Sequence, residues 1–381
     1  MSIYLRSKPR AMGTAALAVA AALVLTSCGQ GDSPSSSSVQ SAPSSDSSGS
    51  ATSGAGAGQS SEESPASGAA TSTDTGNQNA DLDAAKQAKI VAGWGSPPDV
   101  AYLPILIALD KMKEQGFSNI TTQVLAGGTQ EFQALADNQT QLTTDNVGNA
   151  APANQVTGQL QAIGVLNWDN VVFTVAKGYE DCNSLNGKPV GVYDLDGGWS
   201  KLMKNYFASK CPDVKPNYII IPDSALRAQA IVSGKIVGTT LALNDAELIT
   251  QKHPDAGFTT IKFAETLPGV GASYVFTNKK TLDAYPKFFE TLLVEQLKAA
   301  QWLYDNPDQV ESTGKKYIPT LDPAIAKLYL DNKLWPVASD DALPAALVAK
   351  DYDALNLQGD PSSITTDAVM QAALTALKND K

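Results

Sequence analysis

The chain has 381 residues, of which 43% are hydrophobic and 18% charged, with 28 basic against 39 acidic residues, a formal charge of -11 and one histidine. This balance argues against a nucleic-acid binder, since no Lys- or Arg-rich patch is present to neutralise phosphates. A histidine-ligated metal centre or a Ser-His-Asp hydrolase would depend on His253 alone. Three cysteines are too few for a disulfide scaffold.

The first 27 residues are typical of an export signal. Arg6, Lys8 and Arg10 give a positive start, and residues 11–25 are almost wholly apolar. This run is shorter than the roughly 20 residues that a membrane-spanning helix needs. The next residues, Leu25-Thr26-Ser27-Cys28, resemble a bacterial lipobox, so we expect lipidation at Cys28 and a lipid anchor on the extracytoplasmic face of the cell membrane. An ordinary signal followed by a chance cysteine is the alternative.

Residues 28–83 are predicted to be a disordered Ser/Gly-rich tether. Residues 29–80 contain 17 serines, no lysine or arginine, and only Val39 among large apolar side chains. Such a composition cannot build a hydrophobic core, and it behaves as a flexible chain.

From residue 84 onward, apolar runs of strand length alternate with amphipathic helical patterns. The predicted strands are 89–93, 121–125, 161–166, 171–176, 189–193, 218–221, 236–241 and 273–277. The predicted helices are 102–115, 129–136, 198–209, 224–233 and 285–304. The alternation predicts an α/β protein with parallel sheets and helical crossovers.

The folded part has about 300 residues, which is right for two lobes of ordinary domain size. We assign residues 84–176 to the first part of lobe 1 and 177–272 to lobe 2. Residues 273–381 are expected to return to lobe 1 and end in C-terminal helices. The chain would cross between lobes near 176–178 and near 271–273, with a cleft between them.

Four segments then resemble one known family. They are Leu103–Lys111 followed by Glu114–Phe117, Gln123–Thr129 with its following helix, Leu185–Val192, and Ala230–Gly238. In this order, they are similar to segments of ABC-transporter solute-binding proteins of the nitrate/sulfonate/taurine/thiamine-precursor class. The resemblance covers about residues 88–280.

The resemblance implies a two-lobed periplasmic-binding-protein fold of type II, in which each lobe is a sheet flanked by helices. It implies a monomeric extracytoplasmic lipoprotein, not an enzyme, that captures a small organic ligand between its lobes. Its partners would be that ligand, the membrane, and an ABC permease with its ATP-binding subunit. We expect no cofactor, no metal and no nucleic acid.

Loops that follow the strands are the expected lining of the cleft, because ligands of open α/β sheets lie beyond the carboxyl ends of strands. Aromatic side chains there would supply stacking area, and glycines would allow close approach to the backbone. The predicted ligand-binding residues are Trp94, Ser96, Asp99, Tyr102, Gly128, Thr129, Asn146, Asn167, Trp168, Asp196, Gly198, Trp199, Ser200 and Asn244.

The charge of the ligand stays open at this point. Paired glycines at helix starts, in Gly127–Thr129 and in Asp196–Ser200, favour an anion such as a sulfonate, or they are simple turn chemistry. Against an anion, these loops contain no arginine and many aspartates, although most aspartates are expected to be caps or turn residues. The interpretation that we favour is a compact neutral or cationic ligand with a ring to stack.

Two cysteines, Cys182 and Cys211, are predicted to form a disulfide, because disulfides persist in exported chains. Two separate buried thiols are the alternative. Asp194–Gly197 is similar to the start of a calcium loop, but no glutamate closes it at the expected spacing.

Two further function classes stay open. One branch of the resembling fold makes a thiamine pyrimidine, but it needs a cysteine-rich motif and an active-site histidine, and His253 lies outside the candidate loops. The other is a tethered surface adhesin or receptor accessory that uses the same fold without transport.

Overall fold

The computed structural model describes residues 75–125, 127–168, 171–263 and 272–380. These residues belong to one compact unit that begins at Thr71. The predicted signal, Cys28 and the tether up to residue 74 lie outside the described residues. In the described part of the chain, every helix is too short or too polar to cross a membrane.

Ten strands are present in the described ranges. They are β1 (Ile90–Trp94), β2 (Ile120–Val124), β3 (Leu142–Asp145), β4 (Leu160–Trp168), β5 (Val171–Val175), β6 (Pro189–Val192), β7 (Asn217–Ile220), β8 (Gly238–Ala242), β9 (Thr259–Lys262) and β10 (Ala272–Asn278). Every strand predicted from the sequence is present, with ends displaced by at most three residues.

Thirteen α-helices occur in the same described ranges. They are α1 (Thr75–Gln87), α2 (Leu103–Glu114), α3 (Gly128–Ala136), α4 (Val147–Thr157), α5 (Gly198–Lys210), α6 (Ser224–Val232), α7 (Leu243–Lys252), α8 (Lys279–Ala284), α9 (Pro286–Asp305), α10 (Val310–Tyr317), α11 (Pro323–Asp331), α12 (Pro344–Ala354) and α13 (Ala368–Asn379). The chain therefore ends in a run of helices, as the sequence predicts.

The strands form two five-stranded sheets that define the two lobes. The first has the order β2-β1-β3-β10-β4 and the second the order β7-β6-β8-β5-β9. Both sheets are mixed rather than parallel as predicted: β10 runs antiparallel to β3 and β4, and β5 runs antiparallel to β8 and β9. The antiparallel strands are those by which the chain enters each sheet from the other lobe.

The first crossing between lobes lies earlier than predicted. Strand β4 pairs in the first sheet, whereas β5 pairs with β8 and β9 in the second. The chain therefore passes between sheets between Trp168 and Val171, not near 176–178. The boundary that we placed after residue 176 is therefore wrong, since β5 belongs to the second lobe and not to the first. The sequence could not show this, because an apolar run does not reveal which sheet it joins. The return crossing brings β10 into the first sheet at Ala272.

The folded body also begins earlier than predicted. Helix α1 covers residues 75–87, part of the segment assigned to the tether. It packs against α9, Ala85 is buried, and Leu82 contacts the core of the first lobe. The few apolar residues of this polar helix are sufficient because a neighbouring helix covers them.

The hydrophobic core joins the lobes and the C-terminal helices. Helix α9 packs against α2 and α13 on the first sheet, and one core cluster combines Leu103 of α2, Leu241 of β8 and Tyr329 of α11. These contacts fix the loops at the carboxyl ends of β1, β3, β6 and β8 close to one another.

The disulfide prediction is confirmed. Cys182 and Cys211 are bonded, with Cα atoms 6.3 Å apart and a sequence separation of 29 residues. A loop of this length gives a stabilisation of about 3.6 kcal/mol in the chain-entropy estimate. The bond ties the segment before β6 to the C-terminal end of α5, the helix whose first turn reaches the cleft.

Candidate functional site

A cavity of about 290 Å³ lies beyond the carboxyl ends of strands from both sheets. Its lining comes from β3, β4 and β10 and from the segments after β1, β2, β3, β6, β7 and β8. The lining residues are Gly95, Ser96, Pro97, Asp99, Ala101, Tyr102, Gly128, Glu131, Thr144, Asp145, Asn149, Leu166, Tyr193, Trp199, Asp223, Ser224, Ala225, Ala242, Asn244, Asp245 and Ser273. Its position is the one at which open α/β sheets bind ligands.

Asp99 and Tyr102 line the cavity from the loop after β1. Asp99 caps a short helical turn, since its Oδ1 accepts a hydrogen bond of 2.9 Å from the Ala101 N–H. Burial raises the pKa of Asp99 to about 6, and the charge of Asp245 from the second lobe adds to this effect. Trp94 is 1% exposed and packs edge-on against Tyr102 with ring centroids 5.4 Å apart. Trp94 therefore supports the Tyr102 ring from behind.

Glu131 and Asp145 provide two more carboxyl groups on the same side. Burial, followed by the charge of Asp145, raises the pKa of Glu131 well above its ordinary value. It bonds to the Thr143 hydroxyl and accepts from the Thr144 N–H at 3.3 Å. Burial raises the pKa of Asp145 to about 6, although the side-chain amides of Asn149 and Asn146 donate to it at 2.6 and 2.9 Å.

The second lobe contributes Tyr193 and Trp199, and a buried arginine lies next to both rings. The Arg227 guanidinium is 5.9 Å from each ring centroid, and the residue is 0% exposed. Its Nε donates to the Thr240 carbonyl at 2.8 Å, and its Nη1 donates to the Ile221 and Pro222 carbonyls at 2.6 and 2.9 Å. Burial lowers its pKa to about 10, so Arg227 stays charged at neutral pH.

Helix α7 places Asn244 and Asp245 in the cavity through its first turn. Burial raises the pKa of Asp245, while bonding to Ser224 and the charge of Arg227 act in the opposite direction. Asp223 lies at the start of α6 and accepts from the Leu226 N–H at 2.8 Å. The charge of Arg227 is thus shared by nearby aspartates of its own lobe.

The electrostatic character of the cavity follows from these residues. Five carboxyl groups line it: Asp99, Glu131, Asp145, Asp223 and Asp245. Lysine, arginine and histidine are missing from the lining that the described residues form. With the pKa values of Asp99 and Asp145 at about 6 and Arg227 outside the lining, the cavity wall carries negative charge at neutral pH.

Side chains of the opposite lobe occupy the N-termini of two helices. The Gly128 N–H, at the start of α3, donates to the Tyr193 hydroxyl at 2.8 Å. The Gly198 N–H, at the start of α5, donates to Asn149 Oδ1 at 3.0 Å. These backbone amides belong to the two glycine-containing helix starts that, from the sequence, were candidate anion sites. In this conformation they hold the lobes together.

Three solved structures indicate what this architecture is similar to. A protein from Bordetella bronchiseptica RB50 matches with a TM-score of 0.61 and 20% identity, over 77% of this chain and 99% of its own. The alkanesulfonate-binding protein SsuA from Xanthomonas axonopodis pv. citri, bound to MOPS, matches with a TM-score of 0.55 and 16% identity, over 73% and 98% of the two chains. The periplasmic nitrate-binding protein NrtA from Synechocystis PCC 6803 matches with a TM-score of 0.56 and 10% identity, over 76% and 89%.

The chain has the periplasmic-binding-protein fold. The identities are low, so the likeness extends to the fold and not to the ligand. No protein-family model matches the sequence, and no curated protein matches it.

In this binding-protein fold, the predicted site residues divide into two groups. The structure brings Ser96, Asp99, Tyr102, Gly128, Trp199 and Asn244 together around the cavity. The other eight predicted residues do not line it. They are Trp94, Thr129, Asn146, Asn167, Trp168, Asp196, Gly198 and Ser200.

The residues outside the lining have other contacts. Asn146 caps α4 through a 3.0 Å bond from the Asn149 N–H, and the Ser200 hydroxyl donates to the Asp194 carbonyl at 2.6 Å. Asp196 is exposed and 3.7 Å from Lys204, and Thr129 is exposed. Gly198 is buried against the opposite lobe.

Asn167 and Trp168 differ from expectation because β4 continues to Trp168, so neither residue is in a loop. Asn167 is buried and pairs in register with Ser273, which does line the cavity. Both side-chain amide atoms of Asn167 lack a hydrogen-bond partner.

Trp168 lines a different and larger groove of about 940 Å³, formed mostly by C-terminal helices. We assign the ligand site to the smaller cavity, because it lies at the carboxyl ends of strands from both lobes.

The sequence analysis missed Glu131, Tyr193, Asp245 and Arg227 as contributors to the site. Tyr193 directly follows β6, so the strand-end rule could have found it. Glu131 and Arg227 lie within helices, and Asp245 lies in a helix that the sequence pattern did not reveal. Their sequence environment is that of ordinary helical surface residues.

Proposed function

We propose that this chain is the extracytoplasmic solute-binding lipoprotein of an ABC importer. It captures a small organic ligand between its lobes and delivers it to a membrane permease driven by an ATP-binding subunit. The observation that carries the proposal is the cavity that strand ends of both sheets enclose. A ligand that contacts both lobes stabilises the closed conformation through its higher affinity for that conformation.

The lining supports binding rather than catalysis of a bound molecule. Aromatic rings from both lobes supply contact area, and a few polar groups fix orientation, as in small-molecule sites generally. Cavity volumes of such sites begin at roughly 300 Å³. A cavity of about 290 Å³ therefore suits a compact ligand.

A thermal-shift panel on the purified full chain tests the proposal. The panel contains sulfonates, nitrate, pyrimidines, flavins, amines and amino acids. A compound at a hundred times its dissociation constant adds about 2.7 kcal/mol to the free energy of unfolding. We expect one chemical class to raise the melting temperature.

A tryptophan pair supplies the matched control. Trp199 lines the cavity, whereas Trp302 is 37% exposed on α9 outside it. We expect Trp199→Ala to weaken binding of the stabilising compound at least tenfold and Trp302→Ala to leave its dissociation constant unchanged. Equal effects of the two variants, or the absence of any stabilising class, would contradict capture in this cavity.

A further inference from the structure

We infer that the ligand is a compact organic cation held between Asp99 of the first lobe and Asp245 of the second. This inference rests on the proposed function, since it names the class of solute that the same cavity takes. It differs from the ligands named for the two binding proteins above, a sulfonate and nitrate, which are anions.

The first argument is the sign of the charge. The lining includes five carboxyl groups and, in the described part of the chain, no basic side chain. Arg227 lies outside this lining: it is 0% exposed, its Nε and Nη1 donate to backbone carbonyls, its Nη2 has no hydrogen-bond partner, and the Tyr193 and Trp199 rings lie next to it. A bare anion in the cavity would face carboxylates without a cation to pair with.

The second argument is the arrangement of the charges across the cleft. Asp99 and Asp245 belong to opposite lobes, and the charge of Asp245 disfavours ionisation of Asp99 in this conformation. Bringing two like charges together opposes closure. A cation between them converts the repulsion into attraction, so it favours the closed conformation over the open one, as capture requires.

The third argument is the set of groups ready for a ligand. Tyr102, Tyr193 and Trp199 line the cavity, and aromatic faces attract organic cations. Asn244 also lines it, and its buried Oδ1 has no hydrogen-bond partner. This oxygen is a buried acceptor that an N–H or O–H of a ligand would satisfy.

The spacing of the carboxylates favours an organic cation over a metal ion. In the part of the chain that the structure describes, the only three His, Cys, Asp or Glu side chains whose ligand atoms lie within 4.8 Å of one another are Asp181, Cys182 and Cys211. The two cysteines are bonded to each other there. The cavity carboxylates are thus spread around a volume and do not converge on one point.

In this conformation, the two candidate anion sites at the N-termini of α3 and α5 are already occupied by side chains. The two helix N-termini that would bind an anion donate to Tyr193 and Asn149 instead. An anion at either helix start would have to displace one of these contacts, and the cavity lining offers it no basic side chain in exchange.

The test uses matched probes that differ in charge and little in shape. Cations are choline, ethanolamine, guanidinium and putrescine, and their neutral counterparts are 3,3-dimethylbutan-1-ol, ethylene glycol, urea and butane-1,4-diol. Ethanesulfonate, nitrate and calcium chloride complete the set. Dissociation constants are measured on the purified full chain by calorimetry, with intrinsic tryptophan fluorescence as a second readout.

We expect at least one cation to bind at least tenfold more tightly than its neutral counterpart. Asp99→Asn and Asp245→Asn should each weaken that cation at least tenfold while leaving its neutral counterpart unaffected. Asp213→Asn, which neutralises an exposed carboxylate of the second lobe, is the control and should change neither constant. Two independent variants keep the test decisive if one of them folds poorly.

Each contrary result has a distinct meaning. Tighter binding of neutral probes, sulfonate or nitrate would overturn the cation inference and leave the proposed capture function standing. Binding of calcium alone would overturn it in favour of a metal. Binding of none of the probes, together with no stabilising class in the broader panel, would overturn both proposals.

Discussion

A single carboxyl group, that of Asp99, combines a structural and a binding role. As a helix cap it accepts from the Ala101 N–H, a bond that favours the ionised form. Burial and the charge of Asp245 outweigh that bond, so the pKa in the folded state is about 6 instead of 3.8. Three titratable groups face it from other positions: Asp245 on α7, Tyr102 on its own loop and Tyr329 on α11.

The raised pKa of Asp99 predicts a dependence of stability on pH. Between pH 3.8 and 6 the folded state holds a proton that the unfolded state has lost, so stability falls as pH rises through this window. Asp99→Asn keeps the cap but cannot ionise. We expect the variant to exceed the wild type by about 1–3 kcal/mol at pH 7.5 and to match it near pH 4, since one pKa unit is worth about 1.4 kcal/mol.

Urea unfolding at pH 4, 5, 6 and 7.5 measures this difference. The exposed Asp213→Asn variant should follow the wild-type profile throughout, which controls for the general effect of removing one negative charge. The prediction is contradicted if Asp99→Asn is less stable than the wild type at pH 7.5, or if its free energy of unfolding depends on pH as that of the wild type does. Either result would show that burial does not disfavour the ionised form of Asp99.

At the scale of elements, α4 and α5 meet through glycines in their first turns. A Cβ on Gly148 would lie 2.5 Å from Gly198 Cα, which is closer than real Cβ contacts come. A Cβ on Gly198 would likewise overlap Asn146 Oδ1. The two glycines therefore permit the bond between the Gly198 N–H and Asn149 Oδ1 that joins the lobes.

We predict that Gly148→Ala separates these helices without unfolding the protein. Alanine is intrinsically better than glycine in a helix by about 1 kcal/mol, so the substitution does not weaken α4 itself. The destabilisation therefore comes from the clash of the added Cβ with α5, at the contact between the lobes. Hydrogen exchange measured by mass spectrometry should show faster exchange in peptides covering 145–150 and 193–200. Ser209→Ala, an exposed change near the end of α5, should leave both peptides as in the wild type. If exchange in Gly148→Ala equals that of the wild type, the two helices accommodate the added Cβ without separating, and the prediction is wrong.

For the whole molecule, the lipid anchor that the sequence predicts would keep the folded body at a membrane. Before residue 75, the only apolar run is that of the predicted signal, so attachment would depend on Cys28. Each buried CH₂ group of a lipid chain contributes about 0.8 kcal/mol to membrane affinity. A diacylglyceryl group on Cys28 would thus hold the chain firmly at the membrane that contains the proposed permease.

We predict that Cys28→Ser releases the protein from the membrane. In bacterial cells grown with labelled palmitate, the wild type should incorporate label and partition into detergent on phase separation with Triton X-114. The variant should incorporate none and partition into water, while a neighbouring Ser27→Ala change, which keeps a small residue, should behave as the wild type. Label on the Cys28→Ser protein would contradict lipidation at this position.

The sequence by itself determined much of the local structure. Alternating apolar runs and helical patterns predicted eight of the ten described strands, together with α2, α3, α5, α6 and α9, because such patterns depend on residues close together in the chain. Helices α4 and α7 were not among the predicted elements. The exported character of the chain likewise pointed to the bond between Cys182 and Cys211. The four family-like segments anticipated the fold that the structural comparisons support.

Only the tertiary structure decided which residues meet at the cavity. Strand ends pointed to Asp99, Tyr102 and Trp199. Asp245 enters the cavity from a helix, and Arg227 lies on another helix behind the Trp199 ring, and neither helix shows a sign of the site in its own sequence. The antiparallel entry of β5 and β10 and the length of β4 were equally hidden, because they depend on pairing with distant strands. Charge and exposure at a cleft are set by groups far apart in the chain, and those are fixed only when the two sheets pack together.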